Sequence, residues 1–324
     1  MTGTPRVSVV MSVYNDVERV ESAVRGILGQ TLRELELIVI DDGSSDGSGE
    51  LLDRLANEDP RLRVIHQQNA GLTRSLVLGC NEARGEFIAR QDSDDWSHPS
   101  RLEEQAKLLE SDARVGFVSC TTQYVGPDDE HLSITSRPSD PETATRGLLG
   151  PERLGPPAHG SVMFRKTLYD EVGGYRPEFH FAQDSDLWLR MGMKSRIAYL
   201  PDVRYTYRQQ IRSTSGRFRS AQQRFGELGQ DCLRARQLGL PEDGYLEQAR
   251  QLTERLRSGG DAVPADNQAI ELQYLLGSQL VRNRDARAVA YLRQVVRSRP
   301  WHWKAWIRLM QAVIIPKPDA TAER

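Results

Sequence analysis

The stretch Glu86-Phe87-Ile88-Ala89-Arg90-Gln91-Asp92-Ser93-Asp94-Asp95 joins a strand-like run to a cluster of three carboxylates. Similar apolar runs occur upstream at residues 7–13, 35–40 and 61–66, and segments with helical spacing lie between them. Alternating strands and helices are typical of a mostly parallel sheet covered by helices on both faces. The sequence therefore predicts an α/β, Rossmann-like fold for the first part of the chain.

Length and charge exclude some classes of protein. The 324 residues suffice for a large α/β domain with a smaller appendage. Lysines and arginines number 43 against 45 aspartates and glutamates, so the formal net charge is -2. A chain with so little net charge has no global field that draws it to nucleic acid. We therefore expect no nucleic-acid partner.

The cysteines and the N-terminus bear on location. Cys80, Cys120 and Cys232 are far apart and form no C-x-x-C pair, which indicates buried thiols in a reducing compartment. Residues 1–6 are too short and polar for a signal peptide, and no run approaches the roughly 20 apolar residues of a membrane span. We expect a cytoplasmic protein, at most peripheral to the inner face of the membrane.

The composition changes near residue 213, where Gln, Arg, Leu and Ala at helical spacing replace the strand-like runs. We therefore predict a catalytic domain over residues 1–212 and a helical C-terminal region over 213–324. Residues 269–281, 286–296 and 302–313 resemble one and a half units of a tetratricopeptide repeat. A plain helical bundle fits them equally well.

The last predicted helix is rich in tryptophan. Trp301, Trp303 and Trp306 lie close in sequence to the cations Arg299, Lys304 and Arg308. This composition suits a helix that lies in the membrane interface. It also suits packing between helices of the same chain or against another protein, and we favour packing.

Two acidic clusters follow strands, Asp41-Asp42 and Asp92-Ser93-Asp94-Asp95. Ligands of such sheets bind at the carboxyl ends of the strands. On an extended segment Asp92 and Asp94 point to the same side, whereas Asp95 points away. Carboxylate oxygens suit Mg²⁺ or Mn²⁺ that is also bound by substrate phosphates. On the motif alone, a solvated acidic turn is the more common interpretation.

Further runs carry a more specific pattern. They are residues 7–15 (VSVVMSVYN), 37–46 (LIVIDDGSSD), 69–72 (NAGL), 85–95 (GEFIARQDSDD), 161–165 (SVMFR), 173–175 (GGY), 184–190 (DSDLWLR) and 207–208 (YR). Together they closely resemble the inverting family 2 glycosyltransferases, in that family's order and spacing, over roughly the first two thirds of the chain.

The resemblance implies a GT-A fold and an enzyme that needs Mn²⁺ or Mg²⁺. It implies transfer of a sugar from a nucleotide sugar, with a UDP-sugar favoured, to a hydroxyl of a saccharide or lipid-linked acceptor. Such a reaction belongs to bacterial polysaccharide, glycolipid or glycoconjugate synthesis. The Q-x-x-R-W element and the membrane helices of processive synthases are missing from the sequence, which indicates a single addition.

The resemblance also assigns donor-binding residues. Asp94 matches the metal ligand of the D-x-D element, and Asp92 matches its partner near the ribose or the metal's water shell. Asp42 matches the residue that binds the base of the donor; the alternative is a turn carboxylate that caps the next helix. Tyr14 lies where the family's loop covers the base, and an ordinary core aromatic is the alternative.

Asp184 matches the catalytic base, although an N-cap of the following helix is the alternative and both roles can coexist. Arg208 would reach the diphosphate unless it forms a surface ion pair. His159 and Trp188 would line the acceptor cleft, but a satisfied loop histidine and a core tryptophan are the plainer interpretations. We expect Asp186 to be structural.

Three rival functions have different requirements. A dinucleotide-binding oxidoreductase needs G-x-G-x-x-G after the first strand, where this chain has Tyr14-Asn15-Asp16-Val17-Glu18. A sugar nucleotidyltransferase usually has a Gly-rich basic loop early in the chain, and none is visible. A degenerate transferase domain that acts as a scaffold through its helical region is the non-enzymatic alternative, and the intact Asp42, Asp94 and Asp184 argue against it.

Overall fold

The structure is a computed structural model that describes residues 4–210, 219–258 and 265–314. The boundary predicted at residues 212 and 213 lies outside the described residues.

Strands and helices alternate through the first part of the chain, as predicted. The elements are β1 (Val7–Val13), α1 (Val20–Leu28), β2 (Leu35–Asp41), α2 (Ser48–Glu58), β3 (Leu62–His66), α3 (Leu72–Asn81) and β4 (Phe87–Arg90). Next come β5 (Trp96–Ser97), α4 (Arg101–Ser111), β6 (Val115–Val125), β7 (His131–Thr135), α5 (Pro141–Leu149), β8 (Met163–Arg165), α6 (Lys166–Glu171), α7 (Gln183–Gly192) and β9 (Arg196–Arg208). The rest is helical: α8 (Arg219–Gln237), α9 (Asp243–Arg257), α10 (Ala265–Arg282), α11 (Ala288–Ser298) and α12 (Trp303–Ile314).

In the described part of the chain, nine strands form one mixed sheet in the order β3-β2-β1-β4-β8-β6-β9-β5, and β7 pairs with β6. The pairs β3-β2, β2-β1 and β1-β4 are parallel, with Val7 opposite both Leu35 and Phe87. The pairs β4-β8, β8-β6 and β5-β9 are antiparallel. The carboxyl ends of β1, β2 and β4 therefore meet at one edge, which receives both acidic clusters.

Both faces of the sheet are buried, because apolar residues occupy successive positions of each central strand. Val9 and Leu37 face a core formed with α1, α2 and α4. Val10 and Ile38 face the opposite core, formed with α3, α5, α6 and α7. A parallel sheet covered on both faces has such continuous apolar strands.

The segment 126–157 is rich in Pro, Asp, Ser and Thr, which predicts a long loop. This prediction is wrong in part, because β7 and α5 lie within the segment. Helix α5 begins with Pro141, and the side chain of its N-cap Asp140 accepts a hydrogen bond from the amide of Thr143 at 2.8 Å. Asp before Pro at a helix start satisfies one free amide and pre-sets the backbone.

The described residues form two compact units. The first contains most of the sheet, without β7 and the end of β6, together with its helices and also α8 and α9, since Ala221–Ser258 belong to it. Phe225 of α8 packs on Phe179, and the hydroxyl of Thr253 in α9 donates to the carbonyl of Glu178 at 2.6 Å. The compact units thus divide the helical region that the sequence places after residue 213.

The second unit consists of described residues from Gln123–Ile134, Arg208–Ser220 and Gly259–Arg324. Helices α10, α11 and α12 pack around Leu276, Leu292 and Leu309. The phenol of Tyr291 donates to Glu130 at 2.6 Å within this unit. Helices occur at the predicted places, whereas the kind of repeat stays a prediction.

The tryptophans of this unit do not pack as we expected. Trp301, Trp303 and Trp306 are all exposed, so the preferred prediction of packing within the chain is wrong. No described helix is long and apolar enough to cross a membrane.

Candidate active site

The acidic stretch Asp92-Ser93-Asp94-Asp95 forms a tight turn between β4 and β5. The amide of Asp95 donates to the carbonyl of Asp92 across this turn at 3.4 Å. Asp92 and Asp94 are half-buried, and Asp95 is buried. Residues 92–95 were expected to be extended, and this is wrong. The different burial of Asp95 results from the turn and not from the alternating sides of a strand.

Asp92 is held by a fully buried arginine at the end of β4. Nη2 of Arg90 donates to Oδ1 of Asp92 at 2.7 Å, and its Nε donates to Nε2 of His159 at 3.3 Å. The hydroxyl of Tyr175 lies 2.6 Å from the same histidine nitrogen. Burial, and then the charge of Arg90, hold the pKa of His159 well below its usual value. The neutral imidazole can therefore accept at Nε2, whose single lone pair faces both Arg90 and Tyr175, and the four side chains form one continuous network.

Tyr205 on β9 fixes the other side of the turn. Its hydroxyl donates to Oδ2 of Asp95 at 2.8 Å and accepts from the amide of Asp92 at 3.3 Å. A Cβ atom at Gly160 would overlap this hydroxyl and come within 2.9 Å of Oδ2 of Asp92. Residue 160 must therefore be glycine for the tyrosine to reach the turn.

A further carboxylate, Asp16, comes from the loop after β1. Its Oδ2 accepts from the hydroxyl of Ser93 at 2.7 Å. Burial is the main reason that the pKa of Asp16 is raised. The first loop of the sheet is thus tied directly to the acidic turn.

The donor set at the turn suits a divalent ion only in part. Over the described residues, no group of three or more Asp, Glu, His or Cys side chains is placed to hold a metal. An ion bound by one or two carboxylates completes its shell with phosphate oxygens and water. The half-buried carboxylates of Asp94 and Asp92 fit that arrangement, so the ion would need the substrate's phosphates as ligands.

Asp184 lies in the first turn of α7, and Ala182 is the N-cap of that helix. The interpretation of Asp184 as the N-cap is therefore wrong. Ala182 has a φ of 53°, in the left-handed region that residues other than glycine rarely adopt. Strained backbone of this kind often occurs at functional sites, and here it precedes Asp184 by two residues.

The pKa of Asp184 is raised, first by burial and also by the negative charge of Asp92, while the charge of Arg90 opposes the shift. Asp184 is thus within the electrostatic influence of Asp92 in the acidic turn. Asp184 also lines a cavity of about 290 Å³ in the first unit. The other lining residues include Arg153, Ser185, Trp188, Gln223, Glu227 and Gln230. Helix α8 therefore supplies a wall of the cavity, which sequence reasoning did not foresee.

Asp42 at the end of β2 is almost fully buried and holds the loop before α3. Its Oδ1 accepts from the amide of Ala70 at 2.8 Å and from Nε2 of Gln67 at 2.6 Å. Its Oδ2 accepts from the amide of Gly71 at 2.9 Å. The alternative offered by the sequence, a carboxylate that caps the next helix, is wrong, because neither α2 nor α3 has a side-chain cap and Asp42 holds the loop before α3 instead. Oδ2 keeps a second lone pair, so contact with a base stays a prediction.

Tyr14 and Arg208 lie in different surroundings. Tyr14 follows β1 and is 55% exposed, so its interpretation as a core aromatic is wrong. Arg208 belongs to the second unit, where it pairs with the carboxylate of Asp129 at 2.6 Å and donates to the carbonyl of Pro127 at 3.1 Å. The ion pair expected as its default is therefore present, and its contact with a diphosphate stays a prediction.

The two residues predicted to line the acceptor cleft are Trp188, which lines the cavity, and His159, which packs against Trp188. The ring of Trp188 is buried and stacks on Phe117, with centroids 5.8 Å apart. The His159 ring meets that of Trp188 edge-on at 5.9 Å. The simpler interpretations therefore hold for both: Trp188 is a core residue, and His159 has hydrogen-bond partners in Arg90 and Tyr175. Asp186 is structural as predicted, because both of its guanidinium contacts within 3.0 Å come from the buried Arg190.

Comparisons with known proteins agree with this geometry. The family model "Glycosyl transferase family 2" matches residues 8–173. EpsE of Bacillus subtilis, named as a glycosyltransferase, is 34% identical over 59% of this chain and 68% of its own length. The mannosyltransferase PcManGT from Pyrobaculum calidifontis, solved with GDP-Man and Mn²⁺, superposes with a TM-score of 0.55 at 20% identity, covering 97% of this chain and 87% of its own. TarS of S. aureus, solved with UDP, gives 0.56 at 17% identity, covering 95% and 88%.

A mixed sheet with helices on both faces and acidic residues at the ends of its parallel strands defines an enzyme with the GT-A fold, and the predicted fold class is confirmed. The family match extends over more than half of the chain. The protein belongs to glycosyl transferase family 2 and is a glycosyltransferase.

Proposed function

We propose that the protein transfers a single sugar, with inversion, from a nucleotide sugar to an acceptor hydroxyl. A UDP-sugar is the favoured donor, and Mn²⁺ or Mg²⁺ is the required ion. One observation carries the proposal: Asp184 has a raised pKa, lines a cavity, and is within the electrostatic influence of Asp92 in the acidic turn. A base and a donor-binding turn in one site are what a single displacement requires.

Asp184 is the proposed base. Inversion in one step needs a carboxylate on the acceptor side that removes the hydroxyl proton as the new bond forms. Its raised pKa makes it a stronger proton acceptor than an ordinary aspartate. The carboxylate also remains accessible, since it lines the cavity in which an acceptor hydroxyl would lie.

The acidic turn is the proposed donor site, with Asp94 as the metal ligand and Asp92 beside it. A bound divalent ion would neutralise the charge of the departing diphosphate. The buried Arg90 orients Asp92 through its 2.7 Å bond. Tyr14 offers an exposed ring that would cover the nucleotide base of the donor.

The cavity beside Asp184 is the proposed acceptor site. Amide and carboxylate side chains of α8, from Gln223, Glu227 and Gln230, line it together with Trp188. Such groups hydrogen-bond to the hydroxyls of a saccharide, either free or linked to a lipid. The proposed setting is bacterial polysaccharide, glycolipid or glycoconjugate synthesis in the cytoplasm, and the three buried free cysteines support a reducing compartment.

The direct test is Asp184→Asn, which keeps the shape of the side chain and removes its basicity. We expect transfer to fall by about 10²–10⁴-fold while donor affinity is retained. Asp170→Asn is the matched control, because Asp170 pairs with Lys166 on the surface of α6 and should leave the rate unchanged. Transfer by Asp184→Asn at a near-normal rate would show that another group is the base.

Thermal unfolding with nucleotides distinguishes the enzyme from a scaffold. UDP at 100 times its Kd should stabilise the folded chain by about 2.7 kcal/mol, and only when Mn²⁺ or Mg²⁺ is present. A larger stabilisation by GDP than by UDP would show that the donor carries guanine and not uracil. No shift with any nucleoside diphosphate, with or without metal, would favour a scaffold that acts through the helical region.

A further inference from the structure

Helix α12 in the second unit is apolar on two opposite sides. Ala305, Leu309 and Ala312 are buried in the core of that unit. The other side is exposed and follows the helical spacing i, i+3, i+4 and i+7. We call it the outward face of α12; its residues and exposed fractions are Trp303 (64%), Trp306 (45%), Ile307 (42%), Met310 (58%), Val313 (63%) and Ile314 (80%).

An exposed side of this kind is unusual for a helix that faces water. Surface helices normally carry charged or polar residues opposite the buried stripe. Large contiguous apolar patches on soluble monomers commonly mark an interaction site. Trp301, which is 77% exposed, precedes the helix and adds a third tryptophan. The outward face of α12 is therefore expected to be covered by something.

The charged residues of α11, of α12 and of the turn between them are all basic, whereas α10, which also packs on α12, carries Asp266 and Glu271. No aspartate or glutamate occurs between Asp285 and Asp319 in the sequence. The cations in α11, in α12 and between them are Arg293, Arg297, Arg299, Lys304 and Arg308. Arg293, Arg297 and Lys304 are exposed, and the ammonium of Lys304 lies 5.5 Å from the ring centre of Trp303. The helices α11 and α12 and the turn between them thus carry only basic charges, in a chain whose net charge is -2.

We propose that the outward face of α12, together with Trp301, lies in the interface of an anionic lipid bilayer. Tryptophan rings and the stems of lysine and arginine suit the boundary between headgroups and acyl chains, and the basic side chains attract anionic headgroups. The helix is about 18 Å long at 1.5 Å per residue, so it lies along the surface and does not cross the membrane.

Two other occupants fit less well. In a symmetric dimer the same patch meets itself, so Arg297 and Lys304 of one copy would approach the like charges of the other. Residues 315–324 contain a single large apolar side chain, Ile315, which is too little to cover six exposed side chains. A bilayer provides both the apolar layer and the opposite charge.

The test is flotation of the full chain with vesicles, in the absence of donor and acceptor. We expect flotation with vesicles that contain one part phosphatidylglycerol to two parts phosphatidylcholine, and much less with phosphatidylcholine alone. Added salt should weaken binding, since it screens exposed charges. Because no catalysis is involved, failure of this experiment would leave the proposed transfer reaction untouched.

Variants separate the two contributions. The triple change Trp303→Gln, Ile307→Gln and Met310→Gln should abolish flotation, whereas the paired control Leu238→Gln and Leu240→Gln should not, although those leucines are also exposed. Arg297→Gln with Lys304→Gln should lower partitioning into anionic vesicles by about 25-fold, at about fivefold for each positive charge removed. Unchanged melting transitions would show that the exposed substitutions leave the fold intact.

Three results would overturn the proposal. The first is a wild-type chain that does not float with anionic vesicles. The second is a triple variant that floats like the wild type. The third is a lipid-free dimer of the wild type that the triple variant dissociates, which would assign the face to a second copy. A chain ending at Ile314 should float as the full chain does, and much stronger flotation of that shorter chain would assign the face to residues 315–324.

Discussion

The two acidic strand ends that flank β1 have the same sequence character and different uses. At the end of β2, Asp41 and Asp42 are nearly fully buried, and their oxygens are occupied by Ser44, His66 and the loop before α3. At the end of β4, Asp92 and Asp94 are half-buried. The two clusters therefore differ in burial, and a ligand reaches more easily the carboxylates that the adjoining loops leave partly exposed.

The largest effect should come from Asp94→Ala. Loss of the proposed metal ligand removes charge stabilisation of several kcal/mol, which corresponds to a fall in kcat/KM of about 10³-fold. Stability should change little, because the residue is half-buried in a turn. Steady-state kinetics over a Mn²⁺ titration would measure this fall. An activity within tenfold of the wild type would show that Asp94 is not the metal ligand.

For Asp42→Ala we expect a clear loss of fold stability. The change leaves the amides of Ala70 and Gly71 and the amide group of Gln67 without their acceptor. Gln67 keeps the hydroxyl of Ser75 as a partner. Each of the two backbone amides left unpaired costs about 1–3 kcal/mol, so the free energy of unfolding should fall by about 2–6 kcal/mol. Urea unfolding of Asp42→Ala beside Asp94→Ala measures the contrast. Equal stabilities of the two variants would show that the buried hydrogen bonds of Asp42 do not stabilise the fold more than Asp94 does.

The smallest effect concerns pH. Because the pKa of Asp184 is raised by burial and by Asp92, and a base works when deprotonated, kcat/KM should fall on the acid side at a higher pH than an ordinary aspartate gives. Asp92→Asn removes the like charge, so this acid limb should move to lower pH even though the rate is reduced.

The pH profile is to be measured at saturating Mn²⁺, with Asp170→Asn as the control that leaves the limb in place. A limb that moves to higher pH in Asp92→Asn would contradict the electrostatic influence between the turn and Asp184.

The parallel half of the fold could be predicted because its strands are local patterns. The successive apolar positions of β1 and β2 indicate burial on both faces, and a helix follows each strand. The antiparallel half could not be predicted in this way, since β5 and β8 have only two and three residues. Strands so short are defined by partners far away in sequence. Helix α5 was missed although Asp140-Pro141 is a recognisable helix start.

The carboxylates of the site could be predicted, and the groups that hold them could not. Asp92, Asp94 and Asp184 stand in runs that resemble a known family. Arg90 lies inside a strand, where a charged residue gives no indication of its partner, and it turned out to be fully buried against Asp92. Tyr205 is far along the chain from Asp95, and only the pairing of β5 with β9 brings them together.

The buried cysteines have a practical consequence for spectroscopy. Burial raises the pKa of the thiols of Cys80, Cys120 and Cys232 to about 12, so at neutral pH they are protonated as well as shielded. Maleimide and nitroxide reagents react with the thiolate. The native cysteines should therefore not be labelled when a reactive cysteine is introduced elsewhere. A fluorophore attached through Gln223→Cys, at the exposed rim of the cavity on α8, would report acceptor arrival without removal of any native cysteine.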